Sequence, residues 1–164
     1  SAAYGSYQVA ASSTSLRVAG AGADDTLTNV ERLAFADRKL AFDANAQTTA
    51  KVLGAVFGRE AVANRDYAAI GLQLLDGGTR YADLMKLALD ARLGANASND
   101  AVVTVLYTNV VGVAPGAAEL ATFTGLIAAG QYTQATLGVL AADTAQLANA
   151  INLTGLATSG LVYA

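Results

Sequence analysis

The chain lacks the residues on which most enzyme and metal chemistry relies. Its 164 residues include no His, no Cys and no Trp, and only one Met and one Pro. Without Cys there are no disulfides, thiolate metal sites or Cys nucleophiles. Without His, a Ser or Thr nucleophile would need Lys, Asp or Glu as its base, and no Ser-x-x-Lys motif is present. The sequence therefore predicts that the protein is not an enzyme.

Charge is also scarce. Charged residues make up 14% of the chain, whereas roughly 25% is typical of soluble domains. The net charge is −3 and there is no basic cluster, which argues against nucleic acid as a partner. No apolar run reaches the roughly 18 residues that a membrane-spanning helix needs. A surface made largely of Ala, Thr, Ser, Asn, Gln and Gly favours a secreted or assembling protein.

Residues 1–43 have the pattern of short β-strands. Their apolar runs are brief, rich in Val, Tyr, Phe and Thr, and separated by turn residues, which predicts three or four strands. Leu33 and Phe35 alternate with their neighbours before a turn at residues 36–39, and Leu40 and Phe42 alternate after it. We therefore expect a small antiparallel β-hairpin region here.

Residues 44–164 have the apolar spacing of helices. The predicted fold class is mainly α, a bundle of about seven short helices that follows the β-hairpin region. Asp76-Gly-Gly-Thr79 predicts a helix end and a new N-cap at Thr79. Ser98 or Asn99 is predicted to cap a later helix, whereas Thr154–Gly160 is predicted to form flexible turns.

A faint tandem repeat joins residues 52–78 to residues 106–130. At an offset of 54, Gly58 aligns with Gly112, and Gly71-Leu72 aligns with Gly125-Leu126. Two helical units that are each too small to bury their own faces would pack into one bundle. The alternative is chance similarity between Ala-rich helices.

The segment Leu106–Gly130 joins two helix-length stretches through one turn and has a distinctive set of residues: Leu106, Tyr107, Asn109, Gly112, Ala114, Pro115, Ala117, Leu120, Phe123, Gly125 and Gly130. In these positions it resembles the domain-of-unknown-function 4214 family, whose helical modules occur near the C-termini of large secreted bacterial proteins. Family members often carry Arg, Asp, Gly and Trp where this chain has Val113, Gly116, Glu119 and Phe123. The likeness extends over about Ala44 to Ala164.

Five of these residues are expected to determine the fold of the turn between two helices rather than to form a site: Tyr107, Asn109, Gly112, Pro115 and Phe123. The amide of Asn109 is predicted to hydrogen-bond the backbone of the turn at Pro115. Its replacement by Leu should therefore destabilise the module.

The stretch Gly20–Leu27 resembles one turn of the repeat-in-toxin nonapeptide, in which Gly carbonyls and Asp carboxylates bind calcium. Asp24 and Asp25 are thus candidate calcium ligands. Ca²⁺ takes six to eight oxygens, which one turn cannot supply, so the alternative is an acidic hairpin loop. By this resemblance, region 1–43 ends a calcium-binding β-roll.

Together these likenesses imply the C-terminal part of a large bacterial protein exported by a type I secretion machinery. The chain starts without an initiator Met or a basic, apolar leader, and its Gly-Leu-Val-Tyr-Ala end resembles an uncleaved export signal. The expected location is outside the cell or on its surface, with a role in attachment or assembly. One alternative is a polysaccharide-binding module that uses Tyr67, Tyr81, Tyr107 and Tyr132, which otherwise anchor helix packing. The other is a self-assembling unit of a surface layer.

Overall fold

Two small antiparallel sheets and a helical body make up the protein in the computed structural model, which describes residues 2–12, 15–20 and 22–164. Within those ranges the strands are β1 Tyr7–Ala11, β2 Ser15–Gly20, β3 Ala23–Thr28, β4 Arg32–Ala34, β5 Lys39–Ala41 and β6 Leu161–Tyr163. The helices are α1 Ala44–Phe57, α2 Arg65–Asp76, α3 Tyr81–Leu93, α4 Asn99–Val111, α5 Ala117–Ala128, α6 Gln134–Ala142, α7 Ala145–Ala150 and α8 Leu153–Ser159. The predicted mainly helical fold, with strands before helices, is confirmed.

The first sheet has the order β1-β2-β3. Because side chains alternate along a strand, β1 and β2 place Tyr7, Val9, Leu16 and Val18 on one face. Ser13, Thr14 and Ala21, which belong to the predicted turns, lie outside the described residues, as does Ser1. The sheet therefore presents one apolar face and one polar face.

The second sheet contains the predicted hairpin and one unexpected strand. β4 and β5 pair with Leu33 opposite Leu40, as the alternation predicted. β6, from the end of the chain, pairs with the other edge of β5 and places Val162 opposite Leu40. The Lys39 ammonium also donates a hydrogen bond to the Ala164 carbonyl at 3.0 Å. Residues 1–43 and the C-terminal segment thus share one sheet.

The helix boundaries largely follow the predicted caps, with two corrections. Ser98 caps α4, and its hydroxyl accepts from the Ala101 amide at 3.2 Å. The prediction of an N-cap at Thr79 was wrong, because the Thr79 amide closes α2 by donating to the Leu74 carbonyl and Arg80 is the cap of α3. The prediction of flexible turns near the C-terminus was also wrong, because that segment forms α8, an eighth α-helix in the described ranges where about seven were expected.

Helix α1 lies at the centre of the helical body. It packs against α2, α3, α4, α6, α7 and α8, and eight of its residues are buried. Its small residues permit close approach: a Cβ on Gly54 would lie 2.6 Å from Ile151 Cγ2. None of the helices in the described part of the chain combines the length and hydropathy needed to cross a bilayer.

Arg32 connects the second sheet to the helices. From β4 its guanidinium donates to the N-cap carboxylate of Asp43 at 2.8 Å and to both oxygens of Asp76 at 2.7 and 2.9 Å. Asn45 donates to the same Asp76 carboxylate at 2.8 Å. The Arg32 and Asp43 side chains are 28% and 16% exposed, whereas that of Asp76 is 42% exposed. Of the two contacts, the one to Asp43 is therefore the better shielded from solvent. Arg32 fastens the end of α2 to the start of α1.

We expect the contact between Arg32 and Asp76 to make the stability of the fold depend on pH in the acid range. Hydrogen bonds from Arg32 and then Asn45 hold the pKa of Asp76 below its ordinary value of 3.8. A lowered folded-state pKa contributes stability above the unfolded pKa, and this contribution is lost as pH falls through the folded pKa. Asp76→Asn should therefore lower the melting temperature at about pH 6 and make its decline between about pH 5 and pH 2 shallower. The same substitution at the exposed Asp100 serves as control, and identical pH profiles for the two variants would contradict the assignment.

Candidate functional site

The five residues predicted to determine the turn after α4 lie in it or on the two helices that it joins. Gly112 ends α4 with φ of +90°, a left-handed conformation that favours Gly. Pro115 lies between α4 and α5, and the Tyr107 and Phe123 rings, one on each helix, lie 6.2 Å apart. The turn is thus closed by Gly112 and by this aromatic contact.

Asn109 does not contact the turn at Pro115 as predicted. Its amide instead donates to the backbone carbonyl of Ala55 at 2.9 Å. Ala55 lies in the last turn of α1, where helix carbonyls run out of intrahelical partners. Asn109 therefore caps the end of α1 from α4, and the prediction of a structural hydrogen bond had the wrong acceptor.

This contact joins two positions that the predicted repeat would align, because Ala55 and Asn109 are separated by 54 residues. Residues 52–78 of the predicted repeat span the end of α1 and all of α2, and residues 106–130 span the end of α4 and all of α5. Helix α1 packs against α4, and α3 packs against α6.

Two half-open apolar grooves lie between these helices. The first groove lies between α1, α2 and α3 and has a volume of about 430 Å³. The second groove lies between α4, α5 and α6, at the start of α7, and has a volume of about 270 Å³. At an offset of 54, four lining residues of the first groove match four of the second: Thr49, Val52, Leu53 and Phe57 match Val103, Leu106, Tyr107 and Val111. At an offset of 53, four more do so: Leu84, Leu87, Ala88 and Ala91 match Leu137, Leu140, Ala141 and Thr144.

The first groove is the more exposed of the two. Its rim carries Tyr67, Ile70 and Leu87, which are 43%, 55% and 49% exposed. The Phe57 and Tyr67 rings lie 5.3 Å apart at one end. Exposed apolar side chains that gather around a cavity mark interaction sites.

A buried hydroxyl interrupts the apolar wall of the first groove. Thr49 is 1% exposed, and its Oγ1 has no hydrogen-bond partner among the described residues. The side chain lies against Gly71 of α2, where a Cβ would come within 2.6 Å of Thr49 Cγ2. The equivalent position in the second groove is Val103, which has the same shape without the hydroxyl.

The two candidate calcium ligands are not brought together. Asp24 and Asp25 are successive residues of β3, so their side chains leave opposite faces of the sheet. Asp24 accepts from Arg17 Nε at 2.9 Å, whereas Asp25 lines a cleft with Val18 and Leu27. No group of three or more acidic residues that could hold a metal occurs in the described ranges. These carboxylates do not fit a calcium site on their own.

The ionisable groups that meet inside the helical body tie elements together. Lys51 of α1 donates to the Asp143 carboxylate at 2.8 Å, and the Tyr81 hydroxyl of α3 donates to it at 3.4 Å. Burial, and then the negative charge of Asp143, raises the pKa of Tyr81 well above its ordinary value. Tyr81 therefore stays protonated at physiological pH and links α3 to the end of α6.

Sequence reasoning did not find the grooves, although a signal was present. Thr49, Val52, Leu53 and Phe57 repeat the spacing of Val103, Leu106, Tyr107 and Val111. The apolar spacing predicts the helices. It does not predict that Ile70 and Leu87 lie at a groove, because that depends on how α2 and α3 pack. A repeat that carries the same lining twice is the feature that could have indicated paired cavities.

Replacing Asn109 tests its role at the end of α1. Asn109→Leu leaves the Ala55 carbonyl without this donor, so we expect a loss of about 1–3 kcal/mol of unfolding free energy. Chemical denaturation followed by circular dichroism measures it. Asn149→Leu, at an exposed position of α7, is the matched control. Equal stability of the two variants would show that the Asn109 contact contributes nothing.

Replacing Thr49 tests the unpaired hydroxyl. Thr49→Val copies Val103 and removes a buried polar atom that lacks a partner, so we expect the unfolding free energy to rise by about 1–2 kcal/mol. Thr49→Ser keeps the hydroxyl and loses the methyl group beside Gly71, so it should be less stable than the wild type. A destabilised Thr49→Val variant would show that the hydroxyl is satisfied in solution.

No protein-family model matches the chain, and no curated protein and no solved structure shows significant similarity to it. The function must therefore be argued from the geometry of the two grooves, the ion pairs and the C-terminal strand.

Proposed function

We propose that this chain is a non-catalytic C-terminal module of a large secreted bacterial protein. It carries a type I export signal at its end and, once folded outside the cell, supports attachment to the cell surface or assembly there. Calcium is a cofactor of this module only if residues beyond Asp24 and Asp25 supply the remaining ligands.

The apolar lining of the two grooves is the observation that supports a binding role. The two grooves are apolar, and their described linings contain no charged residue. By contrast, Lys51 and Asp143, and Arg32 with Asp43 and Asp76, are paired to each other between elements. The ion pairs join elements of the fold, whereas the apolar side chains of the grooves are available for contact with a partner.

The position of the C-terminus is compatible with an export signal that is recognised before folding. In the folded module Leu161–Tyr163 pair with β5 and Leu161 is buried. A transporter could therefore bind this segment only in the unfolded chain. After export the same residues complete the second sheet.

A self-assembling structural unit is the second candidate, because the exposed apolar side chains at the first groove favour it. Ile70 and Leu87 are each about half exposed, and they lie on the rim of the same cavity. Polysaccharide binding gains less support. Tyr107 packs on Phe123, Tyr81 binds Asp143, and of the four candidate tyrosines Tyr67 alone is strongly exposed.

The export role can be separated from folding in the full-length protein that carries this chain. Deletion of residues 155–164 should abolish its appearance in the culture medium, because the signal is removed. Met85→Asp places a carboxylate at a fully buried position, which prevents folding but leaves the C-terminus intact. We therefore expect the Met85→Asp variant to reach the medium.

The amount in the medium is measured relative to the total in cells and medium. Undiminished export of the deletion variant would overturn the proposal that the C-terminal residues carry the export signal. Failure of Met85→Asp to leave the cell would show that a folded surface, rather than the C-terminal segment, is recognised.

A further inference from the structure

We propose that the cleft beside Asp25 binds one organic cation on an alkyl stem, the kind of group that ends a lysine or arginine side chain. The cleft lies between the first sheet and β4 and has a volume of about 220 Å³. The Asp25 carboxylate is the one charged group in its described lining, which is otherwise apolar or aromatic. This site goes beyond the export and attachment roles proposed above, and neither role is needed for it.

Asp25 interrupts the apolar face of the first sheet. It lies directly opposite Val18 of β2, and Leu27, two residues further along β3, is on the same face because side chains alternate along a strand. Tyr7 of β1 also lies on that face. Asp24 lies on the other face, where an arginine pairs with it. Asp25 thus places a negative charge among apolar side chains, and it is exposed, so a ligand in solvent can reach it.

The Asp25 carboxylate has no partner in the described part of the chain. None of the ten basic residues forms an ion pair or a hydrogen bond with it within residues 2–12, 15–20 and 22–164. Those of the two sheets and the turn after β4 have other partners: Arg17 binds Asp24, Arg32 binds Asp43 and Asp76, Arg38 binds Asp37, and Lys39 binds the Ala164 carbonyl.

Basic residues of the helical body do not supply the missing charge either. Arg65 reaches the turn after β4 from α2, but its guanidinium donates to the Asp37 carbonyl at 3.3 Å. Lys51, Arg59, Arg80 and Lys86 pair with acidic residues outside the sheets. A counter-ion for Asp25 therefore has to come from solvent or from a ligand.

The aromatic rings beside the cleft already hold one cation. Phe35 contacts two tyrosines, with ring centroids 5.3 Å from Tyr4 and 5.5 Å from Tyr7. The Arg38 guanidinium lies over the Tyr4 ring, 4.6 Å from its centroid. Tyr7 and Phe35, on the other side of this aromatic group, line the cleft with Asp25. A cation in the cleft would therefore meet ring electrons and a carboxylate together, and both attract it.

An organic cation fits this lining better than a metal ion does. Ca²⁺ takes six to eight oxygens, whereas the oxygen-bearing side chains of the described lining are those of Asp25 and Tyr7. An alkyl stem can instead lie along Val18 and Leu27 while its charged end meets the carboxylate. The volume of about 220 Å³ is below the roughly 300–1,000 Å³ of sites for drug-sized ligands, so the cleft suits one group of side-chain size.

The n-butylammonium ion is a suitable probe, because it has the stem and charge of a lysine side chain. It is titrated into the intact 164-residue chain, with sodium chloride at equal ionic strength as the reference, and amide shifts are followed by two-dimensional NMR. Acetylation of the chain's N-terminal amine removes that amine from the competition. We expect saturable shift changes at Val18, Asp25 and Leu27. n-Butanol, which has the stem without the charge, should leave these signals in place.

The two neighbouring aspartates provide a matched pair of variants. Asp25→Asn and Asp24→Asn make the same change in net charge on opposite faces of β3. Asp25→Asn should weaken n-butylammonium binding by about tenfold or more, because a hydrogen bond to a charged group is lost. Asp24→Asn should change it by no more than about twofold, because salt screens the more distant charge.

Variants of Tyr7 test the aromatic part of the site. Tyr7→Leu should weaken binding by about two- to fivefold, because a ring face is removed. Tyr7→Phe keeps the ring and should bind as the wild type does. Circular dichroism establishes that each variant folds. Equal losses in Tyr7→Leu and Tyr7→Phe would show that the hydroxyl, rather than the ring, contacts the ligand.

Three results would overturn the proposal. One is an equal loss of binding in the two aspartate variants, which would mean general attraction to an acidic chain. Another is an equal response to n-butanol, which would mean that the cleft takes the stem alone. The third is a response of the same signals to calcium chloride at equal or lower concentration. Each outcome leaves the export proposal standing, because export is measured separately with the C-terminal deletion.

Discussion

The close packing around α1 is the constraint on which the rest of the structure depends. Ala50, Ala55 and Val56 are almost wholly inaccessible to solvent, and Gly54 has no room for a Cβ beside Ile151. Small side chains let six other helices approach one central helix closely. Ala offers little apolar area per residue. The close approach of the helices nevertheless lets this Ala-rich chain form a buried core.

The grooves lie beside the contacts that join the helices of the body. Helix α1 packs against α4, and α3 packs against α6. Helices α2 and α5 take no part in these two contacts, and α5 has no buried residue. One groove remains where α2 meets α1 and α3, and the other where α5 meets α4 and α6. Phe123 lines the second groove, and the exposed Ile70 lines the first.

Local sequence patterns predicted the helices, but they could not predict contacts between residues that are distant in sequence. Ser98 as an N-cap and the hairpin at Leu33 and Leu40 follow from spacing and residue type alone. The acceptor for Asn109 could not be predicted, because it depends on how two distant helices pack. β6 is a further case: three residues carry too little pattern to indicate a strand, and β5 lies more than a hundred residues away in sequence. The prediction of a local partner for Asn109, in the turn at Pro115, was wrong, because its amide donates to Ala55 of a distant helix.

The C-terminal strand β6 bears on the order in which parts of the chain fold. Pairing of β6 with β5, and the Lys39 contact to Ala164 across 125 residues, require most of the chain to be in place, since non-local contacts must overcome the entropy of closing a long loop. Helical contacts such as those between α6 and α7 are local and can form earlier. We therefore expect the end of the chain to pair late in folding. The export signal proposed for this segment would then stay accessible until β6 pairs with β5.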